Sequence, residues 1–180
     1  MKSLTQYITE AKRTPVNILV GRFQPLTNGH LKGPEKIWKT YKVPTVLCMV
    51  DTTKVDDRHP FLTSLLWNTY KKLVKSRDCF IDIIKVKNAD VVKIGEELGA
   101  KGYSVKYWTC GTDRYDAYKK MVDKYVPDVE LIEIKRDDKD VSATEVRQAI
   151  EADHKDRFEE LVPQEIYPLY DKLKEAMDNL

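Results

Sequence analysis

Two short stretches of this chain carry side chains suited to holding phosphate. The first is Gly21-Arg22-Phe23-Gln24-Pro25-Leu26-Thr27-Asn28-Gly29-His30. Gly21 allows backbone to approach a ligand closely, and Gly29 opens a helix whose free N–H groups and dipole attract an anion. Thr27 and His30 add a hydroxyl and an imidazole donor to the same anion. The second stretch is Val141-Ser142-Ala143-Thr144-Glu145-Val146-Arg147. Ser142 and Glu145 have the spacing of a capping box, which explains both without a ligand. A capped helix N-terminus is also an anion site, and Arg147 in the first turns of that helix could face phosphate.

Other positions are open to two readings. In Gly111-Thr112-Asp113-Arg114, Asp113 is either a carboxylate that accepts from ligand hydroxyls or, like Thr112, a simple N-cap. Lys54, Arg58 and His59 read as a solvated loop, with a basic lid over a triphosphate as the alternative. Trp108 reads as core and His154 as surface.

These groups need a frame, and hydrophobic patterning supplies one. Short apolar runs at Val16–Val20, Thr45–Val50, Phe80–Val86, Val105–Cys110 and Val129–Ile134 read as strands. Helical spacing falls between them, ending at Tyr41 for the first helix and covering Leu62–Val74, Ala89–Leu98 and Asp113–Val122 for the others. Gly99 or Gly102 suits a left-handed helix end. Gly33-Pro34 predicts a late start or a kink in the first helix. From Ala143 on, the pattern is helical, with Pro163 expected in a first turn. Alternation with strands lacking a wet face predicts a Rossmann-like, doubly wound parallel α/β sheet with a C-terminal helical cap. Ligands in such sheets sit beyond the strand carboxyl ends, here after Val20, Val50, Cys110 and Ile134.

Composition narrows the class. The 180 residues hold 31 Lys+Arg against 29 Asp+Glu, a net charge of +2, so nothing global announces a nucleic-acid partner. The apolar runs are too short to span a membrane. Cys48, Cys79 and Cys110 are isolated, which argues against a disulfide framework and a zinc site and fits the cytoplasm of a cell.

The first stretch resembles the signature of the nucleotidylyltransferase superfamily, whose members carry (H/T)-x-G-H after the first strand. Thr27-Asn28-Gly29-His30 looks like the phosphopantetheine adenylyltransferase form, and Gly21–Pro25 like the archaeal nicotinamide-mononucleotide adenylyltransferases. Val141–Arg147 is similar to the family's (I/V)-S-x-T-x-x-R segment, and Gly111–Asp113 to its G-x-D segment, which implies that Asp113 accepts from ribose hydroxyls. The resemblance implies transfer of a nucleotidyl group from an NTP, with ATP expected, to a small phosphomonoester such as nicotinamide mononucleotide, releasing pyrophosphate. A CTP-dependent cytidylyltransferase and a non-catalytic phage head protein are the alternatives.

It implies catalytic roles for Thr27 and His30 at the α-phosphate and for Arg147, with Ser142, at the β- and γ-phosphates. Gly21, Arg22, Phe23, Gln24, Gly29, Gly111, Asp113 and Thr144 complete the implied nucleotide site. It also implies Mg²⁺ carried on the phosphates, without a dedicated metal-ligand set. Departures are Leu65-Leu66 where relatives often carry Glu-Arg, and no Trp in Asn88–Ile94 where the nicotinamide enzymes stack one. A homo-oligomer is compatible with the resemblance.

Residues 15–180 are expected to form the nucleotidylyltransferase domain. Residues 1–14 read either as a helix packing Leu4, Tyr7 and Ile8 on the core or as an address. Met1–Glu10 resembles the capsid-targeting peptide of T-even-type bacteriophage head proteins. Ile8-Thr9-Glu10 matches their prohead-protease site, which implies that protease as a partner and packaging in a phage head.

Overall fold

A computed structural model of the chain describes residues 3–6, 12–136 and 141–180. Five strands form one sheet: β1 (Thr14–Gly21), β2 (Thr45–Val50), β3 (Phe80–Val86), β4 (Tyr103–Gly111) and β5 (Glu130–Ile134). All neighbours pair in parallel, in the order β3-β2-β1-β4-β5. Helices α1 (Asn28–Tyr41), α2 (Thr63–Ser76), α3 (Val91–Ala100) and α4 (Thr112–Tyr125) link successive strands. After β5 come α5 (Ala143–Glu151), α6 (Lys155–Leu161), a 3₁₀ turn (Gln164–Leu169) and α7 (Tyr170–Asp178). The predicted Rossmann-like α/β fold is therefore the observed one.

Side chains alternate across the sheet with period two. Leu19, Leu47 and Met49 face a core shared with α2 and the C-terminal cap. Val16, Ile18, Val46 and Cys48 face the opposite core with α3, α4 and Trp108. Every residue of β2 is buried, as a strand covered on both faces requires. Trp108 is fully buried. The chain leaves β1 toward β2 and later returns to the other side of β1 as β4, so the strand order reverses beside β1. The crevice of a doubly wound sheet opens there.

Three local expectations are corrected. The late start expected of the first helix does not occur: α1 begins at Asn28 and continues through Pro34. Pro34 offers no N–H to the His30 carbonyl, but Leu31, Gly33, Pro34 and Ile37 are all buried, and packing outweighs the lost bond. Pro163 precedes the 3₁₀ turn as its N-cap, with ψ 149°, instead of lying in a first helical turn. Of the capping box on α5, only the Ser142 half forms: Ser142 Oγ accepts from Glu145 N–H at 3.2 Å. The Glu145 carboxylate pairs with Arg157 instead.

Leu4 is 75% exposed, so it does not pack on the core as the structural-helix reading expected. Tyr7, Ile8 and Glu10, which carry the rest of that reading and the cleavage-site match, lie outside the described residues. Among the described residues no helix is long and apolar enough to cross a membrane.

Candidate active site

The loop from Phe23 to Thr27 connects β1 to α1, and it is clamped from three directions. Phe23 has φ +50°, a left-handed conformation that costs energy without a glycine. The buried Tyr70 hydroxyl holds it by donating to the Phe23 carbonyl at 2.7 Å and accepting from Leu26 N–H at 2.7 Å. The Gln24 side-chain amide pairs with the Phe61 backbone in both directions, at 2.8 and 2.9 Å. Arg147 from α5 donates to the Gln24 carbonyl at 2.8 Å and to Thr144 Oγ1 at 3.2 Å. The two sequence motifs are thus physically joined through Gln24 and Arg147.

Thr27 is the N-cap of α1 and is fully buried. Its backbone N–H donates to His30 Nδ1 at 2.9 Å, and its hydroxyl lies 3.0 Å from the same nitrogen and 3.3 Å from the Val141 carbonyl. With Nδ1 accepting, the ring proton of a neutral His30 must sit on Nε2. Burial, reinforced by the Arg136 cation and opposed by Asp113, lowers the His30 pKa to about 4. At neutral pH, His30 is therefore a neutral imidazole with a fixed tautomer. The Phe23 ring meets it edge-on at 5.1 Å.

His30 borders a cleft of about 440 Å³ at the carboxyl ends of the strands. On the β1 side the cleft is lined by Gly21, Arg22 and Phe23. Toward β4 and β5 it is lined by Cys110, Gly111, Asp113, Arg114, Tyr118 and Arg136. Toward β2 and β3 stand Val50, His59, Lys87, Asn88 and Ala89. Among the described residues, four cations (Arg22, Lys87, Arg114, Arg136) thus face one carboxylate, Asp113, which gives an anion-attracting lining in a chain of net charge +2. A narrower recess of about 50 Å³ continues from His30 between Gly29, Gly33, Thr109 and Ile134. Tyr118 stacks on Trp108 with centroids 4.2 Å apart.

Two glycines are demanded by close approach. A Cβ on Gly29 would stand 3.0 Å from the Val141 carbonyl oxygen, and one on Gly33 would stand 2.9 Å from Thr109 Oγ1. Thr109 cannot yield freely. Its hydroxyl accepts from Asn17 Nδ2 at 3.0 Å, and its N–H donates to Asn17 Oδ1 at 3.1 Å.

The structure brings Gly21, Arg22, Phe23, His30, Gly111 and Asp113 to the cleft and Gly29 to its recess. Thr27 holds His30, and Arg147, Ser142 and Thr144 stand at the N-terminal turns of α5. The Gln24 side chain is committed to the Phe61 backbone. Sequence reasoning missed Arg136 and Lys87, although Arg136 follows Ile134, a strand end where a ligand was expected. It also missed Tyr70, which reads as an ordinary apolar-face residue of α2. His59 reaches the cleft, while Lys54 and Arg58 are exposed. Among the described residues no group of three or more His, Cys, Asp or Glu converges on a metal site.

No protein-family model and no curated protein sequence matches the chain. Solved structures do. Nicotinic acid mononucleotide adenylyltransferase of Plasmodium falciparum, solved in complex with APC, superposes with a TM-score of 0.55 at 16% identity, over 88% of this chain and 98% of that one. Thermotoga maritima TmcAL bound with alpha-thio ATP also gives 0.55, at 13% identity, over 88% of this chain and 55% of that one. The chain accordingly has the α/β Rossmann-like fold of these proteins.

Proposed function

We propose that this protein is a nucleotidylyltransferase that moves an adenylyl group from ATP to a small phosphomonoester and releases pyrophosphate. The observation that carries the proposal is His30, a neutral imidazole of fixed tautomer bordering a cleft with four cations. Its Nε2–H suits the non-bridging oxygens of an α-phosphate, where charge builds as the acceptor attacks in line and pyrophosphate leaves. No side chain needs to act as a covalent nucleophile, because the acceptor phosphate is one already. Catalysis is then positioning and charge neutralisation.

In this reading Arg136 and Arg114 meet the triphosphate. Arg147, Ser142 and Thr144 bring the α5 N-terminus to bear on its outer phosphates, and Asp113 serves the ribose. Magnesium fits as an ion carried on the phosphates, since the described residues of the cleft offer one carboxylate amid four cations. It would supply charge neutralisation there. Nicotinate and nicotinamide mononucleotides are the first acceptors to test, given the acceptor named for the Plasmodium neighbour.

The test is a thermal-shift screen over ATP, CTP, GTP and UTP, followed by pyrophosphate release with candidate phosphomonoesters. ATP is expected to stabilise most, and pyrophosphate release is expected to require an acceptor. A larger shift with CTP would replace the adenylyl assignment with a cytidylyl one. No shift with any nucleotide and no pyrophosphate would overturn the proposal.

A further inference from the structure

The half of the cleft toward β2 and β3 holds a feature that the nucleotide motifs do not use. Residues Asp51–Leu62, between β2 and α2, form an arch with a fixed neck. Thr52 N–H donates to Thr63 Oγ1 at 2.7 Å, Thr63 N–H returns to the Thr52 carbonyl at 3.1 Å, and Phe61 is paired with Gln24. At the tip, Asp56 and His59 form a two-residue bridge through their backbones, at 3.2 and 3.0 Å. The Asp56 carboxylate also accepts from Arg58 N–H and His59 N–H, at 2.9 and 2.7 Å. The turn is therefore closed by its backbone and the Asp56 carboxylate, without the His59 ring.

The His59 ring adds its own contact, with Nδ1 at 3.1 Å from Asp56 Oδ1 and 3.4 Å from Oδ2. It adds little to closing the turn, but it fixes which way the imidazole faces. An ionised carboxylate only accepts, so His59 Nδ1 must carry a proton and Nε2 is left for a ligand. This is the reverse of His30, whose Nδ1 accepts. His59 lines the cleft with 30% of its side chain exposed, and Lys87 lines the same half.

We propose that His59, aimed by Asp56, grips the phosphate of the acceptor, with Lys87 as the cation of that subsite. With a phosphate monoester bound, the proton that the ester carries lies between its oxygen and Nε2, while Nδ1 donates to Asp56. His59 is then a binding residue and Asp56 a positioning residue. The assignment of this phosphate to the acceptor rests on the nucleotidylyltransferase reading; the phosphate site itself does not.

Three histidines make the test direct. The full chain is titrated with methyl phosphate while the imidazole Cε1–H signals are followed by NMR, assigned with His30→Gln, His59→Gln and His154→Gln. The His59 signal should move saturably. Asp56→Asn keeps an acceptor for the turn N–H groups but removes the charge, and should weaken methyl phosphate binding about 3–10-fold. Its ATP-induced thermal shift should be unchanged. With turnover, Asp56→Asn should raise the acceptor KM and leave kcat and the ATP KM within about twofold.

Methyl phosphate binding that leaves the His59 signal unmoved, an unaltered affinity in Asp56→Asn, or no binding would overturn the proposal. Absence of ATP stabilisation alongside a responding His59 would instead remove the nucleotidylyltransferase reading and leave the phosphate site standing.

Discussion

His30 gives one ring nitrogen to the fold and leaves the other to the cleft. Its Nδ1 satisfies a backbone N–H at the start of α1, while its Nε2–H is available to the cleft. His30→Ala should therefore cost about 1 kcal/mol of stability, the usual worth of a cap, but, in the proposed adenylyl transfer, on the order of 10²–10³ in kcat, the usual cost of losing a donor to developing charge. Chemical denaturation and steady-state rates at saturating ATP separate the two. The lowered pKa makes a second prediction. The folded state holds His30 neutral down to about pH 4, whereas the unfolded chain protonates near its ordinary value of about 6.5. Between those values the unfolded state binds the extra proton, so stability present above pH 6.5 is lost as pH falls toward 4. From pH 7 to pH 5 this group alone should remove about 2 kcal/mol. Urea unfolding of the wild type and His30→Gln at both values should show the variant losing less; equal losses would mean that His30 is not buried as a neutral group.

At the scale of elements, the site depends on how closely α1 seats on β4, and Gly33 is where the two touch. A Cβ there would stand 2.9 Å from both Cβ and Oγ1 of Thr109, a residue pinned by Asn17. Gly33→Ala should therefore destabilise by about 1–3 kcal/mol through overpacking. Gly95, inside α3, has nothing within 4 Å of its Cβ position, and Gly95→Ala should stabilise by about 0.5–1 kcal/mol. Melting temperatures moving in opposite directions check the pair. The elements themselves were legible in the sequence: Thr45–Val50 and Phe80–Val86 were bounded correctly because each is an apolar run ended by polar residues. Their tertiary uses were not. Asn17 reads as an interruption of β1, yet it bonds Thr45 and Thr109, 28 and 92 residues away. Pro34 reads as a helix breaker because burial against the sheet is not written in its neighbours.

At the scale of the whole molecule, a net charge of +2 contrasts with a cleft where, among the described residues, four cations meet one carboxylate. The sequence carries these residues on separate strand ends, so composition alone hides the cluster; only the reversal of strand order beside β1 gathers Arg22, Lys87, Arg114 and Arg136. The C-terminal cap depends on distant pairing as well, with Arg77 at the end of α2 making two bonds to Glu165, at 2.9 and 3.0 Å. A ligand reaching the cations links loops from β1, β4 and β5 and stabilises the folded chain by mass action. At ATP concentrations about 100-fold above its Kd this amounts to about 2.7 kcal/mol, or about 5–10 °C in Tm for a chain of this size. Arg136→Ala should remove most of that shift: Arg136 is close enough to depress the His30 pKa and lines both the cleft and its recess. Its loss should also let His30 titrate at higher pH, because one of the two causes holding it down would be gone. Following the His30 imidazole signal through an acid titration of the variant, beside the ATP-induced Tm shift, reads both effects on one protein. An unchanged Tm shift with an unchanged His30 titration would place Arg136 outside the nucleotide site.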